Sequence, residues 1–160
     1  RGTINGAELE FSARTDERLR WLGHVGFLDT GYGEFISRGV NIADQQRFTN
    51  APRWTGGVSA IAEFPLQSAG MLVARADGNY QSKVYPTTDL SEFIAQDGYT
   101  LWNASLTWHS PSQRWQAALL GLNLTDKEYR ITGNDNALLG LRTAYYGPPK
   151  TVSVSVTYFF

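Results

Sequence analysis

The sequence predicts an all-β protein, an antiparallel up-and-down meander of about seven strands. Two observations lead there: apolar and polar residues alternate through segment after segment, and the connections between segments alternate between short and long. Composition agrees, because five Trp, eight Tyr and eight Phe accompany sixteen Gly, a mixture suited to pleated strands and tight turns.

The predicted strands lie near residues 4–14, 19–32, 54–64, 71–83, 99–109, 115–124 and 150–160. Successive side chains on a strand point to opposite faces, so each run splits by parity. The first sets Ala7, Leu9, Phe11 and Ala13 against Glu8, Glu10, Ser12 and Arg14. The second sets Leu19, Trp21, Val25 and Phe27 against Arg20 and His24. In the third, Trp54, Val58, Ala60, Ala62 and Phe64 oppose Thr55, Ser59 and Glu63. In the fourth, Leu72, Ala74, Ala76 and Tyr80 oppose Arg75, Asp77, Asn79 and Gln81. The fifth sets Trp102, Ala104, Leu106 and Trp108 against Asn103, Ser105 and Thr107. The sixth is weaker, since Leu120 and Leu122 interrupt its polar side. The last is the clearest, with Val152, Val154, Val156, Tyr158 and Phe160 opposite Ser153, Ser155 and Thr157.

Thr15-Asp16-Glu17, Pro65 to Gly70 and Ser110-Pro111-Ser112 are short connections, whereas 33–53, 84–98 and 125–149 are long. In a meander, alternate connections fall at opposite ends of the sheet, so the short turns share one rim and the long loops the other. That asymmetry is the pattern of a transmembrane β-barrel with short periplasmic turns, of which seven strands make a segment. Trp54 and Phe64 lie ten residues apart on one face. At ~3.3 Å per residue and a tilt of about 40° they span roughly 25 Å, the height of an apolar band between aromatic girdles. Glu8, Glu10, Arg14, Glu63, Arg75 and Asp77 make a poor soluble core and an ordinary wet lumen. The alternative is a soluble lipocalin-like barrel that turns the Trp, Leu and Val face inward around a small apolar ligand.

Several functions are excluded by what the chain lacks. A net charge of −1, without a Lys/Arg run, argues against a nucleic-acid partner. Cysteine is absent, which removes disulfides and thiolate chemistry. No apolar run reaches the ~18 residues of a spanning helix, so any membrane crossing is made by strands. His24 and His109 fall on different strands without a partner at ligand spacing, and no phosphate loop, nucleophile elbow or zincin motif occurs. We therefore expect no enzyme activity, no cofactor and no metal site. Asn103-Ala104-Ser105 and Asn123-Leu124-Thr125 match glycosylation acceptors but lie in predicted strands or at their ends. The chain opens at Arg1-Gly2-Thr3 with neither Met nor signal peptide, so processing or truncation is expected to have removed its start.

Three stretches carry a family resemblance: Asn123-Leu124-Thr125-Asp126-Lys127-Glu128-Tyr129, Ala144-Tyr145-Tyr146-Gly147-Pro148-Pro149-Lys150-Thr151 and the terminal aromatic strand. Asn50-Ala51-Pro52-Arg53-Trp54-Thr55, Arg75-Ala76-Asp77 and Asp97-Gly98-Tyr99 precede them in matching order. Together they resemble the carboxyl-terminal end of TonB-dependent outer-membrane receptors over nearly the whole chain. Asn123, Asp126 and Gly147-Pro148-Pro149 read first as punctuation, the amide and carboxylate turning the backbone and the prolines fixing φ before the last strand.

The resemblance implies a transporter with a plugged barrel of about 22 strands, this chain being its last third and the plug and amino-terminal strands lying elsewhere. It implies a bacterial outer-membrane location and a lipid surround. It also implies contact with the TonB energising complex through regions not present here, and a small-molecule ligand such as an iron-siderophore complex. Tyr158 and Phe160 match the family's terminal signal for the barrel assembly machinery. Arg75, Asp77, Asn79 and Gln81 are the expected ligand path along the lumen. Tyr85, Arg130, Asn134, Asp135, Arg142, Tyr145 and Tyr146 are the loop residues suited to holding a polar chelate. Seven strands also leave two unpaired edges, so the isolated chain is not expected to insert as a monomer.

Overall fold

The computed structural model describes residues 1–88, 90–136 and 139–160. The wall is one antiparallel sheet of seven strands. In chain order the strands are β1 (Gly2–Arg14), β2 (Leu19–Tyr32), the short β3 (Ile36–Ser37) and β4 (Val40–Asn41), β5 (Trp54–Pro65), β6 (Met71–Gln81), β7 (Tyr99–His109), β8 (Trp115–Leu122), β9 (Arg130–Asn136), β10 (Leu141–Tyr146) and β11 (Thr151–Tyr158). The wall order is β1-β2-β5-β6-β7-β8-β11. The two small hairpins, β3–β4 and β9–β10, stand outside it, within long connections.

Register carries the face pattern across the whole wall. Leu9 pairs with Val25, Phe27 with Trp54 and Phe64 with Leu72. The apolar row continues through Leu72 and Trp108, Leu106 and Leu119, and Leu119 and Val154. The side chains on this face are open: Trp54 is 47 % exposed, Leu106 41 % and Val154 73 %. Among the described residues the buried hydrophobic ones are Ile61, Val84, Ile94 and Ala95, three of them in segment 84–98 at the long-loop rim, so no dry centre gathers the described tryptophans and valines. A lipocalin-like barrel would bury that row and pair its first strand with its last. Here β1 and β11 are the two edges of the described sheet.

Aromatic rings fill the gaps that glycines leave on the apolar face. Gly78 faces Trp102 across the ladder, and a Cβ at Gly78 would lie 2.5 Å from the indole Cζ3. Near the short turns, the Trp21 indole donates to Thr15 Oγ1 at 3.0 Å and Trp108 donates to Ala69 O at 2.7 Å. Each indole therefore has an apolar body on the wall and a polar tip at its end, the amphipathic arrangement of a girdle residue.

The short turns are closed by local chemistry. The Asp16 carboxylate accepts from the backbone N–H groups of Arg18 at 2.7 Å and Leu19 at 2.9 Å. Those two bonds, Arg18's first, hold its carboxyl below the ordinary range.

Strand ends shift slightly from the expected ones. β6 stops at Gln81 rather than 83, because Lys83 leaves the ladder for an ion pair with Glu92. β8 stops at Leu122 because Asn123 takes φ +48, which a strand does not accommodate. β11 ends at Tyr158, although Phe159 N still bonds Arg114 O at 2.8 Å. The long segments 84–98 and 125–149 hold more order than loops were expected to, and their residues 89, 137 and 138 lie outside the described ones.

Candidate functional site

The four ligand-path residues of β6 stand on the polar face at a two-residue spacing, opposite β5 and β7. Arg75 and Asp77 are joined, with Arg75 Nη2 2.7 Å from Asp77 Oδ1 and Nε at 2.9 Å and 3.0 Å from the two carboxylate oxygens. Ser59 of β5, register partner of Asp77, donates its hydroxyl to the same carboxylate. Asn79 lies opposite Gly57, where an added Cβ would meet its Oδ1 at 2.9 Å and the His24 ring at 2.5 Å. Gln81 pairs with Thr55 and Tyr99. The row is a polar track with a fixed charge pair at its end nearer the short turns.

Arg142, Tyr145 and Tyr146 lie on β10, at the opposite rim from the short turns. Both tyrosines are exposed, and a register shift falls between them. Arg142 is engaged: its Nε donates to Asp135 Oδ1 at 3.0 Å, and its guanidinium lies 3.6 Å from the centre of the Phe93 ring. Ser91 donates to the other Asp135 oxygen at 2.5 Å. The Ser91 bond and then Arg142 hold the Asp135 carboxyl below its usual range.

Segment 84–98, expected to be a plain loop, docks onto the β9–β10 hairpin. Ile94, 1 % exposed, fits over Gly133, where an added Cβ would come within 2.7 Å of its Cδ1. The buried Gln96 accepts from Arg130 N at 2.7 Å, and Arg130 Nη1 donates to Ala95 O at 2.9 Å. Val84 and Gln96 exchange backbone bonds across the base of the segment. Lys83 is bound to Glu92 at 2.7 Å, and Tyr85 donates to Glu92's other oxygen at 2.7 Å. The signal available was Ile94-Ala95, an apolar pair inside an otherwise polar connection.

A second cluster clasps the base of 125–149. Asn123, 4 % exposed, accepts from Lys127 N at 2.8 Å through Oδ1. Its Nδ2 donates to Lys127 O at 2.9 Å and to Pro148 O at 3.0 Å. Asn123 N donates to Asn103 Oδ1 at 2.9 Å, and Lys150 N donates to Asp126 Oδ1 at 2.8 Å. Tyr129 stacks on Tyr99 at 4.8 Å and covers Gly147 so closely that no Cβ fits there. The motif expected to punctuate the chain therefore ties the start of the long connection to its end. At the other rim, Tyr158 packs on Trp115 at 4.8 Å and meets Phe160 edge-on at 5.1 Å.

A family model described as TonB dependent receptor-like, beta-barrel matches residues 1–134. The chain belongs to that family. It is a family of receptors and transporters rather than of enzymes, and its members are outer-membrane proteins. Solved structures share the wall's fold. The ferric yersiniabactin uptake receptor FyuA from Yersinia pestis superposes with a TM-score of 0.79 at 23 % identity, covering 99 % of this chain and 24 % of FyuA. BauA, the ferric preacinetobactin receptor from Acinetobacter baumannii, gives 0.73 at 21 % identity over 98 % of this chain and 22 % of its own. The siderophore receptor PiuA from the same organism gives 0.71 at 16 %, again over 98 % of this chain and 22 % of its own. The chain thus spans under a quarter of the length of these receptors, less than the third that the resemblance implied. No curated protein sequence matches it.

As a TonB-dependent receptor barrel segment, the chain has two faces of distinct character. The polar one carries the Arg75–Asp77 track, and the apolar one carries the aromatic row. The docked loop cluster and the Asn123 clasp both stand at the long-loop rim, where the wall's alternation gives way to side-chain contacts.

Proposed function

We propose that this chain is the carboxyl-terminal wall of an outer-membrane receptor that takes up a scarce small-molecule nutrient, an iron-siderophore chelate. The observation that carries the reading is the unbroken apolar row on one face of all seven wall strands, exposed as a lipid-facing surface is and backed by a polar face suited to a lumen. The siderophore receptors that share the fold favour an iron chelate as cargo.

On this reading outer-membrane lipid covers the Trp54, Leu106 and Val154 row. The plug and the remaining strands belong to the rest of the receptor, and those strands pair with the open edges of β1 and β11. In hydrocarbon, each unsatisfied backbone group on those edges costs several kcal/mol. Arg75, Asp77, Asn79 and Gln81 line the cargo's path, and Arg142, Tyr145 and Tyr146 stand where it is captured. Energy comes from the TonB complex acting on the missing amino-terminal parts, and the barrel assembly machinery recognises Tyr158 and Phe160.

The test uses the full-length receptor in iron-starved cells. It should fractionate with the outer membrane and drive uptake of radioiron presented as siderophore chelates, and an uncoupler should stop that uptake. Deleting residues 131–143 should abolish ligand binding while the barrel still assembles. Uptake that ignores the receptor would defeat the transport reading, and unchanged affinity in the deletion would defeat loop capture.

A further inference from the structure

The alternation that builds the wall fails on one strand. Leu119 of β8 belongs to the apolar row, where it meets Leu106 and Val154, so Leu120 and Leu122 stand on the polar face. Both are exposed there. Across the ladder Leu120 is flanked by Ser105 and Ser153, and Leu122 by Thr151. The pair is an apolar island among small neutral polar side chains.

Charge divides the same face in two. β7, β8 and β11 contain no Asp, Glu, Lys or Arg. β1, β2, β5 and β6 put Glu8, Glu10, Arg20, Glu63, Arg75 and Asp77 on the polar face. Arg75 and Asp77 neutralise one another, whereas among the described residues the other four are in no ion pair. Unpaired charges are costly to take out of water, and open leucines are costly to leave in it. Arg75, Ser105 and Leu120 follow one another in register across β6, β7 and β8. At ~4.8 Å per strand, about 10 Å of wall separates the two requirements.

Position limits what can cover the leucines. Lipid and a second copy of the receptor meet the opposite face, that of Leu119 and Val154. A covering group must come from inside the barrel. This chain covers 24 % of FyuA, so a receptor of that kind has ample further polypeptide to supply one.

We infer that Leu120 and Leu122 are the seat of the plug, which packs an apolar surface against the β7, β8 and β11 side of the lumen and leaves water along the charged faces of β1, β2, β5 and β6. The inference rests on the transport reading and deepens it: the plug is held from one side, and the path along Arg75, Asp77, Asn79 and Gln81 stays wet.

The test is labelling of the full-length receptor in phospholipid vesicles with a small water-soluble maleimide, one cysteine at a time. Leu120→Cys reports the seat and Glu10→Cys the charged side; residues 1–160 contain no cysteine of their own, and any elsewhere is replaced by serine. Glu10→Cys should react at least about tenfold faster than Leu120→Cys, because the reagent reaches only a thiol that water reaches. Hydrogen exchange then identifies the covering segment. In L120N/L122N, exchange should accelerate at least about tenfold in one stretch of the plug, amino-terminal to residue 1, while wall amides keep their protection. L120M/L122M, which keeps the apolar surface, should exchange like the parent. Equal labelling of the two cysteines, or plug exchange unchanged in L120N/L122N, overturns the seat and leaves transport standing. A receptor with no protected amino-terminal domain, and radioiron uptake independent of it, removes the transport reading and the seat together.

Discussion

In the wall, Leu106 meets Leu119 and Ser59 meets Asp77 because the ladder sets them opposite one another. At the long-loop rim, Ser91 reaches Asp135 across 44 residues and Gln96 reaches Arg130 across 34, with side chains making the connection. The wall's backbone satisfies its own polar groups, so each position there is asked only for the right polarity on the right face. The rim has no continuous ladder, and its order depends on which residue occupies each place. One region should tolerate changes of identity and resist changes of polarity, and the other should do the reverse.

The sharpest way to break that contrast is to move a charge from one face to its neighbour. Leu106→Arg puts a guanidinium in the apolar row and should cost about 2–4 kcal/mol in lipid, whereas Thr107→Arg, one residue away on the polar face, should stay within about 1 kcal/mol of the parent. Urea unfolding of the full-length receptor in phospholipid vesicles reads both. Equal losses would mean that the apolar row does not face lipid.

Asn123 lies where wall and rim join, and it should cost somewhat less. Asn123→Ala strips the partners from Lys127 N, Lys127 O and Pro148 O and puts an alanine at φ +48. Unsatisfied groups of this kind cost about 1–3 kcal/mol. Asn123→Gly relieves the backbone but restores no bond, so it should recover only part of the loss, and Asn123→Asp should keep only the bond to Lys127 N. Protease cleavage within 125–149 should accelerate in the same order as stability falls. A parent-like cleavage rate for Asn123→Ala would remove the clasp's role.

This position also shows what the sequence could tell. The period of two located every wall strand to within about two residues at most ends, because face polarity is a property of each residue by itself. Asn123 was recognisable as a turn residue for the same reason: its side chain acts on nearby backbone. That its amide also grips Pro148, 25 residues on, was not legible, since nothing local records which distant carbonyl will return to that spot. The β9–β10 hairpin was hidden likewise. Arg130 to Asn136 has the polar, turn-rich composition of a loop, and it becomes a strand through its pairing with Leu141 to Tyr146 and the socket it offers Ile94. Arg142 was legible as a rim cation, but its engagement by Asp135 and Phe93 was not.

The smallest effect should appear in how the rim responds to acid. Asp135 joins the two rim segments through Ser91 and Arg142, and its carboxyl is held below the ordinary value of about 3.9. A depressed folded-state pKa means that the stabilisation is complete above the ordinary value and disappears as pH falls through the lower, folded one. Hydrogen-exchange protection of residues 90–96 and 130–136 should therefore hold steady at neutral pH and fall below about pH 4, while wall amides stay protected. Glu92, lowered by Lys83 and then by Tyr85, titrates in the same window, so the two carboxylates must be separated. In Asp135→Asn, protection at 130–136 should be reduced at neutral pH and insensitive to acid. In Glu92→Gln, the acid response at 130–136 should persist, since that hairpin touches Asp135's partners and not Lys83. If Glu92→Gln abolished the response instead, segment 84–98 would be anchored from its Lys83 end, and the Asp135 junction would follow that anchoring rather than set it.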